Sequence, residues 1–148
     1  MKVVVQRCNE ASLKIKDKVY SRIGPGMVLL VGFTNGDTIN EIKYLVNKIV
    51  NLRIFDDECG IMNKSIKDVG GSILSVSQFT LYADTKKGNR PSYINALNGN
   101  EATVLYDLFN KLLEEENVEV KTGVFGEDMK VSLENNGPVT IILEKEGM

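Results

Sequence analysis

Gly24-Pro25-Gly26-Met27-Val28-Leu29-Leu30-Val31-Gly32-Phe33 is the stretch on which the fold turns. A Gly-Pro-Gly breaker hands over to a continuous apolar run from Met27 to Phe33, and such a run reads as a strand buried on both faces or as a central core strand. Upstream, Lys2 to Arg7 carries Val3-Val4-Val5, and Ala11-Ser12-Leu13-Lys14-Ile15 alternates apolar and polar side chains as a half-buried strand does. Asp17-Lys18 reads as a turn, followed by a strand over Val19 to Ile23. Downstream, Asn35-Gly36-Asp37 ends the central run. Ile39, Ile42, Val46 and Ile49 then recur at helical spacing, with Asp37 or Thr38 as the cap and a stop near Asn51.

Further along, Arg53-Ile54-Phe55 and Ile61-Met62-Asn63 flank Asp56-Asp57-Glu58-Cys59-Gly60 as a short hairpin, whose acidic turn lacks the spacing of a calcium loop. After Gly70-Gly71, Ser72 to Tyr82 reads as one strand, and Ala83 to Ser92 as a polar loop. Val104, Leu105, Leu108, Phe109, Leu112 and Leu113 form the stripe of a second helix, with Asn100 as its expected cap and Glu101 in its first turn. Glu114-Glu115-Glu116 at its end reads as solvated surface. Met129 to Glu134 and Val139 to Glu144 both alternate, and Asn135-Asn136-Gly137-Pro138 between them predicts a hairpin or a tight corner. The sum is an α+β domain, mostly antiparallel sheet with two main helices on one side.

The chain has 148 residues, 43% of them hydrophobic and 26% charged, which is the size and balance of one domain over residues 1–148 whose core needs neither disulfide nor metal. Cys8 and Cys59 make no metal-ligand spacing and no disulfide framework, and the N-terminus does not read as a signal peptide, so a reducing cytoplasm is expected. The longest apolar run is far below the roughly 20 residues that cross a bilayer, so no membrane role is expected. There is no histidine. That excludes a Ser-His-Asp triad, a Cys-His dyad and His-bearing zinc sites, and leaves neither cofactor nor metal expected. The net charge of -2 argues against extended binding to a polyanion.

Three places remain where chemistry can sit. Ser77-Gln78-Phe79-Thr80 ends an otherwise aliphatic strand; it is either a strand edge facing water or a polar site where main-chain N–H groups leave the ladder and point at a ligand carbonyl. Gln78 has an amide to donate, and Ser77 or Thr80 has a hydroxyl, although a free hydroxyl is a poor nucleophile without a base. The loop Asp84-Thr85-Lys86-Lys87-Gly88-Asn89-Arg90-Pro91 is solvated surface or a phosphate contact through Lys86, Lys87 and Arg90. Gly137-Pro138 is an ordinary turn, or a cis pair whose rigid carbonyls recognise an ammonium group. Cys8 and Cys59 read as inert thiols.

Taken in order, Val4-Val5-Gln6-Arg7, Gly24-Pro25-Gly26, Arg53-Ile54-Phe55, Gly70-Gly71-Ser72, Ser77-Gln78-Phe79-Thr80-Leu81, Gly88-Asn89-Arg90-Pro91-Ser92 and Asn136-Gly137-Pro138-Val139-Thr140 resemble the D-aminoacyl-tRNA deacylase family, formerly called D-tyrosyl-tRNA deacylase. The likeness runs the length of the chain. Ser77-Gln78 favours the D-specific branch over a related animal editing subgroup with a different motif there, and Tyr93 stands where the family more usually has phenylalanine. The resemblance implies a barrel-like sheet and hydrolysis of the ester between a D-amino acid and the aminoacylated 3′ end of tRNA, together with removal of glycine mischarged on alanine tRNA. It also implies a homodimer with active sites at the subunit interface. Gly137 and Pro138 of one subunit would enter the other's pocket, face the substrate amino group and exclude an L side chain. Arg7 would orient that pair; Ser77, Gln78, Phe79 and Thr80 would line the acyl pocket, with Met129 close by.

The missing histidine fits this chemistry. An aminoacyl ester is already activated and carries a neighbouring ribose hydroxyl, so donors for the developing oxyanion can suffice. An acyl-enzyme on Thr80 is the competing scheme. Two other classes stay open: a non-catalytic tRNA-binding module, and a hydrolase of small esters that needs no tRNA.

Overall fold

The Met27–Phe33 run does become a strand buried on both faces, and the rest of the chain is arranged to cover it. The computed structural model describes residues 1–147. In chain order these form β1 (Lys2–Ile15), β2 (Lys18–Ile23), β3 (Gly26–Gly32), α1 (Ile39–Asn51), β4 (Phe55–Asp56), β5 (Met62–Lys64), α2 (Ile66–Val69), β6 (Ser72–Ser77), a 3₁₀ turn (Phe79–Tyr82), α3 (Gly99–Glu114), β7 (Glu119–Thr122) and β8 (Lys130–Glu144). β3 lies between β1, antiparallel to it, and β6, parallel to it; β6 then pairs in parallel with β7. The sheet curls until Ser21 of β2 donates a hydrogen bond to the Thr122 carbonyl of β7 at 2.5 Å, which nearly closes a barrel. The architecture is therefore α+β with a mixed, barrel-like sheet.

Two cores result. On one face, Val3, Val5, Met27, Leu29, Val31 and Ile73 pack against Ile42, Leu45, Ile49, Phe109 and Leu113 of α1 and α3. Inside the curled sheet, Cys8, Ala11, Leu13, Ile23, Val28, Leu74 and Val76 meet one another. β1 gives odd-numbered side chains to both cores, Val3 and Val5 to the first and Ala11 and Leu13 to the second, which a strand of period two cannot do unless its phase shifts. The shift is a bulge: Asn9 is the extra residue between the pairs Cys8↔Asn135 and Glu10↔Glu134.

Several local expectations change. β8 is one strand, antiparallel to β1 along its whole length, and not a hairpin; between Gln6↔Thr140 and Cys8↔Asn135, its Asn136, Gly137, Pro138 and Val139 stand where β1 supplies Arg7 alone. The turn-like residues are thus an excursion within a continuing ladder. The Ser72–Tyr82 segment is a strand only to Ser77, because Gln78 N–H makes its bond to the Val31 carbonyl of β3 and the chain then winds into the 3₁₀ turn. The first turn lies at Lys16 and Asp17, both with positive φ, one residue earlier than the sequence suggests. Thr38 caps α1 in a reciprocal pair with Glu41, and Asn98, not Asn100, caps α3. The helix α2 and the strand β7 are too short to show periodicity.

The two glycine motifs meet each other. Pro25 accepts a hydrogen bond from Ser72 N–H at 3.0 Å, and a Cβ on Gly26 would fall 1.8 Å from the Ser72 carbonyl oxygen. Gly71 would bring its own Cβ within 3.2 Å of the Gly26 Cα. β3 and β6 start this close because neither has a side chain there. Gly26→Ala is therefore expected to lower unfolding stability by about 3 kcal/mol or more, read from the urea midpoint. A loss below about 0.5 kcal/mol would show that the seam opens freely.

Candidate active site

β6 carries its polar end to the open side of the barrel because it runs parallel to β3 and stops one residue short of it. Gln78 N–H still donates to the Val31 carbonyl at 2.7 Å; beyond it the ladder has no further place for the chain. Phe79 and Thr80 open the 3₁₀ turn, so their N–H groups have no partner inside it, and Gln78 supplies no side-chain cap. Instead the Gln78 amide donates to the Thr80 hydroxyl at 2.5 Å.

A cavity of about 300 Å³ lies beside this strand end. Ser77, Gln78 and Phe79 form one wall, and the segment from Phe125 to Met129 forms the other. Four of the sequence-derived site residues are thus brought together: Ser77, Gln78, Phe79 and Met129. Thr80 is not part of the lining, but it is tied to it through Gln78. Exposed Glu127 and Asp128 give the mouth negative charge, which suits a substrate ammonium group and opposes a free carboxylate. Phe125, Glu127 and Asp128 escaped the sequence reading. Phe125 had one visible signal: it is an aromatic residue between Gly123 and Gly126, outside any periodic run.

Arg7, Gly137 and Pro138 form a second group. Arg7 is buried on β1, and its guanidinium donates to the Asn136 carbonyl at 2.9 Å, to the Ile54 carbonyl at 2.7 Å and to Asp56 at 3.3 Å. The Arg53-Ile54-Phe55 motif thus presents a carbonyl to Arg7. Asn135 accepts from Val139 N–H at 2.8 Å and closes the excursion from the other side. The Gly137–Pro138 peptide bond is cis, and both residues are exposed. Neither lines the cavity within this chain.

The basic residues lie apart again. Lys86, Lys87 and Arg90 are exposed on a loop pinned at its base, where Asp84 and Ser92 exchange main-chain hydrogen bonds of 2.7 and 2.9 Å. Among the described residues none of the three takes part in an ion pair. Burial pushes the Cys8 thiol up to about 11, against a smaller pull from the Gly26 main chain, so it stays protonated and unreactive.

A family model described as D-Tyr-tRNA(Tyr) deacylase matches residues 4–144. The chain belongs to that family. A protein of Bacillus velezensis named D-aminoacyl-tRNA deacylase is 55% identical over 146 residues, covering 99% of each chain. Among solved structures, one titled c-Myc DNA Unwinding Element Binding Protein superposes with a TM-score of 0.93 at 40% identity, covering 99% of this chain and 100% of that one. Another, titled as a probable eukaryotic D-amino acid tRNA deacylase, gives a TM-score of 0.80 at 20% identity over 96% of this chain and 97% of that one, and shares the fold.

Arg7→Ala would strand two carbonyls that the guanidinium now satisfies, and a loss of about 3 kcal/mol in unfolding stability is expected. Amide exchange at Val139 should speed up in step. Arg7→Lys keeps the charge without the fork and should recover less than half of the loss. Unchanged exchange at Val139 in Arg7→Ala would show that Arg7 does not hold the excursion.

Proposed function

We propose that this chain is a D-aminoacyl-tRNA deacylase: it hydrolyses the ester joining a D-amino acid to the 3′ end of tRNA and spares the L-aminoacyl form. The observation that carries the reading is the end of β6, where a cavity opens beside two main-chain N–H groups without partners in their turn, in a chain that matches the family almost throughout.

Water adds to the acyl carbon, the Phe79 and Thr80 N–H groups receive the tetrahedral oxyanion, and the ribose 3′-oxygen departs with a proton that the water supplied. The neighbouring 2′-hydroxyl of the substrate positions that water. Thr80 is a poor nucleophile here, since its oxygen already accepts from the Gln78 amide and no imidazole exists to take its proton. Ser77, Gln78, Phe79 and Met129 hold the acyl group.

The protein acts as a homodimer in which Gly137-Pro138 of one subunit completes the cavity of its partner, faces the substrate ammonium and leaves no room for an L side chain. The exposure of the pair on β8, away from the cavity of its own chain, supports this. Arg7 positions the pair. Lys86, Lys87 and Arg90 contact tRNA phosphates, and the net charge of -2 confines that contact to the acceptor end and disfavours duplex DNA. Glycine mischarged on alanine tRNA is a second substrate, and the cytoplasm is the compartment.

Purified protein should release tyrosine from D-Tyr-tRNA and leave L-Tyr-tRNA intact; equal loss of both, or of neither, defeats the assignment. Mechanism is separated by two further measurements. Thr80→Ala should keep turnover within about threefold, whereas a substrate ending in 2′-deoxyadenosine should slow by roughly a hundredfold. The opposite pattern would establish an acyl-enzyme on Thr80.

A further inference from the structure

We propose that Tyr93 and Phe79 together form a stacking platform for the unpaired nucleotides preceding the terminal adenosine of the tRNA acceptor end, with Lys2 and Lys86 holding a backbone phosphate beside it. The inference rests on the deacylase reading and names where its substrate leaves the cavity.

Phe79 is 53% exposed, Tyr93 41% and the adjacent Ile94 77%, an apolar surface that the described residues of a single chain leave uncovered. The two rings meet edge to face, with centroids 5.0 Å apart and planes at 66°, an arrangement that leaves further ring faces open to a base. Phe79 is also a wall of the cavity, so the platform begins where the acyl site ends; Tyr93 extends it outward and lines no part of the cavity. Tyr93 is displayed rigidly: the Asp84–Ser92 bridge fixes the chain just before it, and its own carbonyl accepts from Ala96 N–H at 3.0 Å.

The charge lies alongside. At the far end of the 3₁₀ turn, Lys2 holds its ammonium 4.6 Å from the centre of the Tyr82 ring. Lys2, Tyr82, Lys86 and Asn95 border a notch of about 220 Å³; Asp84 borders it too, and its carboxylate is engaged by Lys86 N–H at 2.9 Å. The turn from Phe79 to Tyr82 advances about 6 Å, so the notch lies about one nucleotide's reach beyond the aromatic pair. Exposed aromatic faces beside cations that join no ion pair among the described residues are what a single-stranded nucleic acid requires, since every base has a face to stack and every linkage a charge to neutralise. A duplex buries its base faces and has no use for the rings.

The test compares binding of an uncharged tRNA carrying its full unpaired 3′ tail with that of the same tRNA trimmed of the tail, by fluorescence anisotropy, alongside hydrolysis of D-Tyr-tRNA. Tyr93→Ala and Tyr93→Leu should weaken the full-tail complex about tenfold without affecting the trimmed one, and raise KM for D-Tyr-tRNA while kcat holds. Tyr93→Phe should match the unmodified protein. Lys2→Ala should reduce the slope of log affinity against log salt by about 0.7. Equal weakening on both RNAs, no weakening at all, or a loss in kcat with KM unchanged would overturn the platform, the last because Tyr93 would then only prop Phe79. If the unmodified protein hydrolyses nothing but binds the tail in a Tyr93-dependent way, the deacylase reading falls and the platform stands. D-specific hydrolysis with indifferent Tyr93 variants does the reverse, upholding the deacylase and removing the platform.

Discussion

Two long paired strands must change cores at the same level, and Arg7 occupies the point where they do. Below it, β1 and β8 point Val3, Val5, Val139, Ile141 and Leu143 at the helices; above it, they turn Ala11, Leu13, Val131 and Leu133 into the curled sheet. A uniform ladder cannot hand over in this way, so β1 takes one bulged residue and β8 a four-residue excursion, and the mismatch leaves carbonyls that no strand can satisfy. A buried guanidinium with several fixed donors answers that need where an ammonium would not. The same side chain therefore supports the barrel's geometry and the shape of the corner that carries Gly137-Pro138.

The donors proposed for the candidate site are main-chain groups, and that follows from where β6 stops. Parallel pairing with β3 delivers Ser77 and Gln78 to the sheet's open end, and the 3₁₀ turn that follows leaves N–H groups facing outward. A chain without histidine lacks the usual general base, so donors to a developing negative charge are what it can contribute. The deacylase reading asks little more of the protein than this, because the ester and its neighbouring hydroxyl carry their own reactivity.

Legibility in the sequence followed the range of the interactions. The central strand, α1 with its Thr38 cap and the β4–β5 hairpin were visible because composition, spacing or a cap sits within a few residues. Asn135-Asn136-Gly137-Pro138 misled for the converse reason: it has every local mark of a turn, and only pairing with a strand more than a hundred residues away keeps β8 extended through it. Ser77 to Thr80 was found as a polar interruption of an aliphatic strand, but its bend was not, since the residue that ends the ladder, Val31, lies on β3. Phe125 and the Ile54 carbonyl lacked a strong marker, the first being a lone aromatic and the second a main-chain atom that any side chain would have offered.

The glycine seam between β3 and β6 has a genetic corollary. Most steric faults in a core can be relieved by a second substitution that trims the opposing side chain. At Gly26 the opposing atoms are all Ser72 backbone, so there is nothing opposite to shorten, whereas at Gly71 the nearest atom is Cγ1 of the Ile66 side chain. A lesion at Gly26 should therefore lack an intragenic suppressor at its partner, and any that arises should map to residues that strengthen the domain as a whole.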